Sequence, residues 1–164
     1  MSDLRLSKVL GVAVCALLLA GICMSTQAFA EAKGPMQFVA EAKAKITEVT
    51  PQAVKADLDA GKPIILLDVR DSVEFDAGHL PKAVNISRGL LEFKVGRMLT
   101  DKNANIVVYC RTDARSALAT AVMQEMGYSN VKNMLGAFKA WGLAGYPIYN
   151  RHGEFTMLSF EKNE

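Results

Sequence analysis

Residues 106–122 read IVVYCRTDARSALATAV, and the order of structural elements follows most clearly from this stretch. Its first four residues, Ile106–Tyr109, form an unbroken apolar run of strand length, which is typical of a strand covered on both faces. A polar segment then leads into a helix that we predict from about Arg115. Apolar side chains recur there at helical spacing, at Leu118, Ala121, Val122 and Met126.

Strand and helix patterns alternate on both sides of this stretch. We predict strands at residues 46–49, 64–69, 83–86, 106–109 and 130–135. Helices are predicted after Thr50-Pro51, after Ser72, from Ser87 to about Leu99, from about Arg115, and at residues 137–143. Buried strands that alternate with helices predict an α/β fold with a parallel sheet.

The composition is that of one globular domain with a small remainder. The 164 residues are 51% hydrophobic and 22% charged, with a formal net charge of +2. These values argue against a disordered chain, a disulfide-rich miniprotein and a polytopic membrane protein. Lysine and arginine do not cluster densely anywhere, so we expect no nucleic-acid partner.

Residues 1–30 have the pattern of a cleavable signal peptide. Arg5 and Lys8 precede an apolar run at residues 9–24, and Ala28-Phe29-Ala30 supplies a small-x-small cleavage site. The run is shorter than the ~20 apolar residues of a membrane-spanning helix. We therefore expect cleavage after Ala30, a periplasmic protein, and membrane contact only through the leader. An uncleaved anchor is the alternative.

Cleavage would leave 134 residues with a single cysteine, Cys110. We divide this part into an approach segment at 31–45, a domain at 46–148 and a C-terminal tail at 149–164. No internal disulfide can form with one cysteine. A free thiol in an oxidising compartment is a liability unless it is buried or used, which makes Cys110 the first candidate for chemistry.

Cys110 lies where a predicted strand gives way to a helix, and ligands of open parallel sheets bind beyond such strand ends. The next six residues contain no proline, so each has a backbone N–H that a tight loop could turn inward. The helix N-terminus and two arginines add positive potential. Such a loop would stabilise a thiolate or another anion. The candidate binding residues are Arg111, Thr112, Asp113, Ala114, Arg115 and Ser116.

Four motifs in this chain resemble those of the rhodanese-like sulfurtransferases, in the order that the family has them. They are Leu67-Asp68-Val69-Arg70 with Glu74-Phe75, the segment from Gly78-His79-Leu80-Pro81 to Ile86, Tyr109-Cys110-Arg111, and Gly136-Ala137-Phe138 to Trp141 with Gly145-Tyr146-Pro147. The resemblance implies a three-layer domain with a five-stranded parallel sheet flanked by helices. It also implies that Cys110 carries sulfur as a persulfide, which the loop up to Ser116 holds.

The loop length separates two chemistries known on this fold. Four residues lie between Cys110 and Arg115, as in the sulfurtransferases, whereas the related phosphatases and arsenate reductases have five. One residue less shortens the arc by up to ~3.5 Å. The smaller loop suits a single sulfur atom better than a tetrahedral phosphoryl group, so a phosphatase or arsenate reductase is the less favoured alternative.

Asp113 departs from the glycine that many family members have at this position. A carboxylate facing inward at ~6 Å, at an effective dielectric of ~20, would oppose an anionic donor by roughly 3 kcal/mol. We therefore expect Asp113 to turn outward or to pair with an arginine. Its charge disfavours thiosulfate as the physiological donor and leaves a persulfide or polysulfide open. Arg88, at the same end of the sheet, is a further candidate for anion binding.

The remaining polar residues have structural interpretations. Acidic residues around Arg70 fit helix caps and ion pairs, so we expect no metal site and no cofactor. His79 fits a packing and hydrogen-bonding role, and Trp141 fits the core.

The sequence thus predicts a sulfurtransferase that moves sulfane sulfur from a small-molecule donor, through Cys110, to a thiol or cyanide-like acceptor or an acceptor protein. A non-catalytic persulfide carrier or sensor is the alternative from another functional class.

Overall fold

A sheet of five parallel strands lies at the centre of the protein. The computed structural model describes residues 32–157. The strands are β1 (Thr47–Val49), β2 (Ile65–Asp68), β3 (Val84–Asn85), β4 (Ile106–Tyr109) and β5 (Val131–Met134). Their order in the sheet is β1-β5-β4-β2-β3, and every pairing is parallel. The predicted fold class and all five predicted strands are confirmed.

Six helices accompany the sheet in the described part of the chain. They are α1 (Pro35–Lys43), α2 (Pro51–Asp59), α3 (Ser72–Ala77), α4 (Leu91–Met98), α5 (Ala114–Glu125) and α6 (Ala137–Leu143). Side chains alternate between the two faces of a strand, so β4 contributes to both cores. Val108 packs with α4 and α5 residues, whereas Val107 packs with Val54 of α2 and Trp141 of α6. This arrangement explains why β4 is apolar throughout.

Helix starts agree with the predictions in part. Thr50 caps α2 by accepting a hydrogen bond from the Ala53 N–H at 3.2 Å, as expected. The cap of α3 is Asp71 rather than Ser72, and Glu74 accepts from the Asp71 N–H at 3.4 Å. The single helix predicted from Ser87 is divided into a 3₁₀ turn, Arg88–Leu90, and α4.

The segments on either side of the family-like region are both structured. In the approach segment, α1 packs against α5. In the tail, β6 (Ile148–Asn150) and β7 (Gly153–Phe155) form an antiparallel hairpin. Phe155 packs over Gly78, and Met157 packs over Gly142. The part of the tail that the structure describes, up to residue 157, therefore packs on the domain.

No helix within residues 32–157 is long and apolar enough to cross a bilayer. The predicted signal peptide lies outside the described residues.

Candidate active site

Cys110 is the first residue after β4, at the carboxyl end of a central strand. The residue is 1% exposed, and its thiol is free. Its Sγ accepts a hydrogen bond from the Asp113 N–H at 3.2 Å. Ser116 Oγ lies 3.6 Å from the same sulfur, although its single proton has a nearer acceptor in the Asp113 carbonyl, at 2.9 Å. The loop thus turns back on the thiol through one of its six amides, that of Asp113.

The loop has backbone donors that the protein itself does not use. The first bond of α5 runs from the Ala117 N–H to the Asp113 carbonyl at 2.8 Å. Between residues 32 and 157, no acceptor is found for the N–H groups of Arg111, Thr112, Ala114, Arg115 and Ser116. Unused amides at a helix N-terminus attract anions. The Asp113 N–H is the loop amide that donates to Sγ, and the amides beside it are available to an anion.

Asp113 forms the turn before α5, with a left-handed backbone at φ 90°. Its carboxylate pairs with Lys43 of α1, with Nζ 2.9 Å from Oδ2. The Gly136 N–H donates to the same oxygen at 3.4 Å. Of the two expected arrangements, turning outward or pairing with an arginine, the arginine pair is wrong: the partner is a lysine of the approach segment, for which no helix was predicted. The hydrogen bond to Asp113 also contributes most to raising the pKa of Lys43.

Arg115 pairs with Glu74 of α3 through two hydrogen bonds, at 2.8 and 3.0 Å. This contact lowers the pKa of Glu74 and raises that of Arg115. The guanidinium therefore ties the loop to α3 in addition to contributing positive charge. Both residues stand out in the sequence, but their pairing does not follow from it, because 41 positions separate them.

Arg111 and Thr112 are exposed at the outer side of the loop. Arg111 lines a cavity of about 550 Å³ that lies beside the loop. The wall of the cavity is joined to the loop backbone, because the N–H groups of Phe138 and Lys139 donate to the Cys110 and Arg111 carbonyls, both at 3.0 Å. The other lining residues are Arg70, Glu74, Ala77, Gly78, Leu143, Phe155 and Met157.

Arg88 has a different environment from the other candidates. Its guanidinium donates to Glu92, one turn further along the chain, at 2.9 Å. It lines a groove between α1 and α5 and is not part of the cavity that Arg111 lines. Its proposed anion-binding role stays a prediction.

The acidic residues near Arg70 serve as ion-pair partners and caps. Asp68 is completely buried and accepts from the Arg70 guanidinium at 2.6 and 3.0 Å. Arg70 also donates to the Gly78 carbonyl and lies 4.1 Å from the centre of the Phe138 ring. The described residues contain no group of three or more His, Cys, Asp or Glu side chains arranged to hold a metal.

His79 and Trp141 are held by the surrounding structure. The His79 ring stacks on Phe75 at 3.9 Å and pairs with the Phe75 carbonyl through Nδ1 at 3.0 Å. Trp141 is fully buried and donates to the Pro147 carbonyl at 2.8 Å. Both match the structural roles expected from the sequence.

Known proteins resemble this chain across the same region. Residues 50–144, more than half of the chain, match the family model of the rhodanese-like domain. A sulfurtransferase of Allochromatium vinosum is 29% identical over 108 residues, which cover 66% of this chain and 99% of that protein. Other curated relatives are longer: the chain spans 25% of the length of two that are 35% identical to it.

Two solved structures share the fold. One is a Rhodopseudomonas palustris protein of unknown function that is described as a possible tyrosine phosphatase. It has a TM-score of 0.67 and 30% identity, and the match covers 71% of this chain and 95% of that chain. The polysulfide-sulfur transferase homodimer of Wolinella succinogenes has a TM-score of 0.59 and 32% identity, with 69% and 85% covered. The family match, the parallel sheet and the cysteine loop agree, and the chain belongs to the rhodanese-like sulfurtransferase family.

Proposed function

We propose that the protein is an exported sulfurtransferase in which Cys110 carries the transferred sulfur. The strongest support is the hydrogen bond that the Asp113 N–H donates to Cys110 Sγ. Neighbouring amides of the loop have no acceptor among the described residues. The thiolate attacks the outer sulfur of a donor, forms the Cys110–S–S⁻ persulfide, and releases the remainder of the donor with the electron pair of the broken S–S bond.

A thiophilic acceptor then regenerates the thiolate. Cyanide would attack the outer sulfur to give thiocyanate, and a thiolate would take it as a persulfide. In both cases the electrons of the Cys110 S–S bond return to Sγ. Two half-reactions on one sulfur predict ping-pong kinetics.

Thiosulfate, a persulfide and a polysulfide are all candidate donors. The sequence disfavoured thiosulfate because of the Asp113 charge, but Lys43 neutralises that carboxylate. The polysulfide-sulfur transferase to which the chain is similar supports the polysulfide. The acceptor would be a small thiol, cyanide or an acceptor protein.

Steady-state kinetics test turnover directly. Thiocyanate formation from thiosulfate or polysulfide with varied cyanide should give parallel double-reciprocal lines, and Cys110→Ala should give no enzymatic rate. Loading of sulfur without turnover to any small acceptor would identify the carrier alternative instead.

A phosphatase is the second candidate, favoured by the description of the Rhodopseudomonas palustris protein. The four residues between Cys110 and Arg115 argue against it, because the arc is short for a tetrahedral phosphoryl group. Hydrolysis of an aryl phosphate that depends on Cys110 would favour the phosphatase.

A further inference from the structure

The active-site loop is in contact with a helix that lies outside the matched family region. The match begins at residue 50, whereas α1 ends at Lys43. Lys43 Nζ lies 2.9 Å from Asp113 Oδ2, and the N–H of the same aspartate donates to Cys110 Sγ at 3.2 Å. A lysine from the approach segment therefore contacts the residue whose N–H donates to the thiol.

The Asp113 carboxylate is placed where its charge matters. The Asp113 N–H donates to Cys110 Sγ, so the carboxylate belongs to the residue that contacts the sulfur. Its side chain is only 17% exposed, which limits screening by water and salt. An unpaired negative charge there would oppose both a thiolate and an incoming anionic donor.

A hydrogen bond and a backbone conformation keep the carboxylate in place. The Gly136 N–H donates to Oδ2 at 3.4 Å, and the left-handed backbone of Asp113 positions the side chain. Loss of Lys43 would therefore remove the positive charge and leave the negative charge close to the loop.

Lys43 is itself held by a second acidic partner. Glu48 of β1 lies 3.2 Å from Nζ, and Glu48 also accepts from the Asn133 amide of β5 at 2.9 Å. The ammonium thus bridges the sheet and the loop, at 30% exposure.

We propose that Lys43 is a positioning residue that neutralises Asp113 and so keeps the Cys110 loop receptive to anions. The proposal rests on the proposed function only where the anion is a sulfur donor, because the effect of Lys43 on the charge at the loop does not depend on sulfur transfer. In this proposal α1 contributes a residue to the active site.

Alkylation of Cys110 tests the charge at the loop without any sulfur chemistry. Iodoacetate is anionic and iodoacetamide is neutral, and each transfers its carbon to the thiolate with loss of iodide. We would measure both rates by mass spectrometry of the peptide that contains Cys110. In Lys43→Gln, the ratio of the iodoacetate rate to the iodoacetamide rate should fall about tenfold, which corresponds to ~1.4 kcal/mol.

Three further variants separate charge from structure. Lys43→Arg should keep the ratio, and Lys43→Gln/Asp113→Asn should restore it to within about twofold. Lys62→Gln, which removes a surface lysine paired with Asp57 and changes the net charge equally, should leave the ratio unchanged. Persulfide loading from thiosulfate should follow the same order of variants.

An unchanged ratio in Lys43→Gln, or a double variant as impaired as the single one, would overturn the proposal. A changed alkylation ratio with no sulfur loading even in the wild type would retain the role of Lys43 and overturn the proposed function. If neither reagent alkylates Cys110 in the wild type, the sulfur is closed to small anions and both fail.

Discussion

At the residue scale, the site depends on side chains that pair across elements. Lys43 pairs with Asp113, and Arg115 pairs with Glu74. Cys110 and its loop can be proposed from the sequence because Cys110 is the one cysteine after residue 30 and lies at a predicted strand end. The sequence could not identify Lys43 as a partner, because seventy positions separate it from Asp113 and only the packing of α1 on α5 brings them together.

The Glu74 pair makes a prediction about pH. The hydrogen bond from Arg115 lowers the pKa of Glu74 in the folded protein, so the pair stabilises the fold above the unfolded-state pKa of ~4.3, and this contribution is lost as the pH falls through the lower folded value. Both side chains are about one-third exposed, which limits the effect to less than ~1 kcal/mol.

Urea unfolding of the wild type and of Glu74→Gln at pH 6 and pH 3 would measure this contribution. The wild type should be more stable than the variant at pH 6, and the difference should shrink at pH 3. Arg115→Gln should abolish the same pH dependence. A difference that does not change with pH would contradict this account.

At the element scale, the central strands β2 and β4 could be predicted because two-sided burial favours apolar runs such as residues 64–67 and Ile106–Tyr109. No such run marks the hairpin of β6 and β7: its strands mix polar and apolar residues, and β7 is exposed. No helix was predicted in the approach segment either, although α1 forms there and buries Val39 and Ala42. The left-handed turn at Asp113 is set by loop closure onto the sulfur, which local sequence does not specify.

The packing of the hairpin predicts the effect of a substitution at Gly78. Its backbone is extended, at φ 170°, so alanine brings no backbone strain. An added Cβ would lie 2.9 Å from Phe155 Cζ and 3.0 Å from Ile148 Cγ2. Gly78→Ala should therefore lower the free energy of unfolding by ~1–3 kcal/mol.

A double-mutant cycle would test whether the hairpin causes this cost. Phe155→Ala should reduce the effect of Gly78→Ala by at least ~0.5 kcal/mol, measured by denaturant unfolding. Gly89→Ala is the matched control, because a Cβ there meets nothing within 4 Å. Strictly additive effects of Gly78→Ala and Phe155→Ala would show that Phe155 does not cause the cost.

At the scale of the whole molecule, the proposed export makes a prediction about the mature N-terminus. The full chain expressed in a bacterium should be recovered from the periplasm starting at Glu31, as read by N-terminal sequencing and intact mass. Recovery from the membrane fraction with residues 1–30 intact would instead support the uncleaved anchor.

Sulfur transfer through Cys110 is the central claim, and intact mass spectrometry of the protein from residue 31 onward tests it most directly. Cys110 is the only cysteine in this part of the chain, so an added sulfur on a cysteine must be on Cys110. After incubation with thiosulfate or polysulfide, the protein should gain one sulfur atom and lose it on addition of cyanide, whereas Cys110→Ala should gain none. Absence of the adduct with every donor, or its persistence in Cys110→Ala, would contradict the claim.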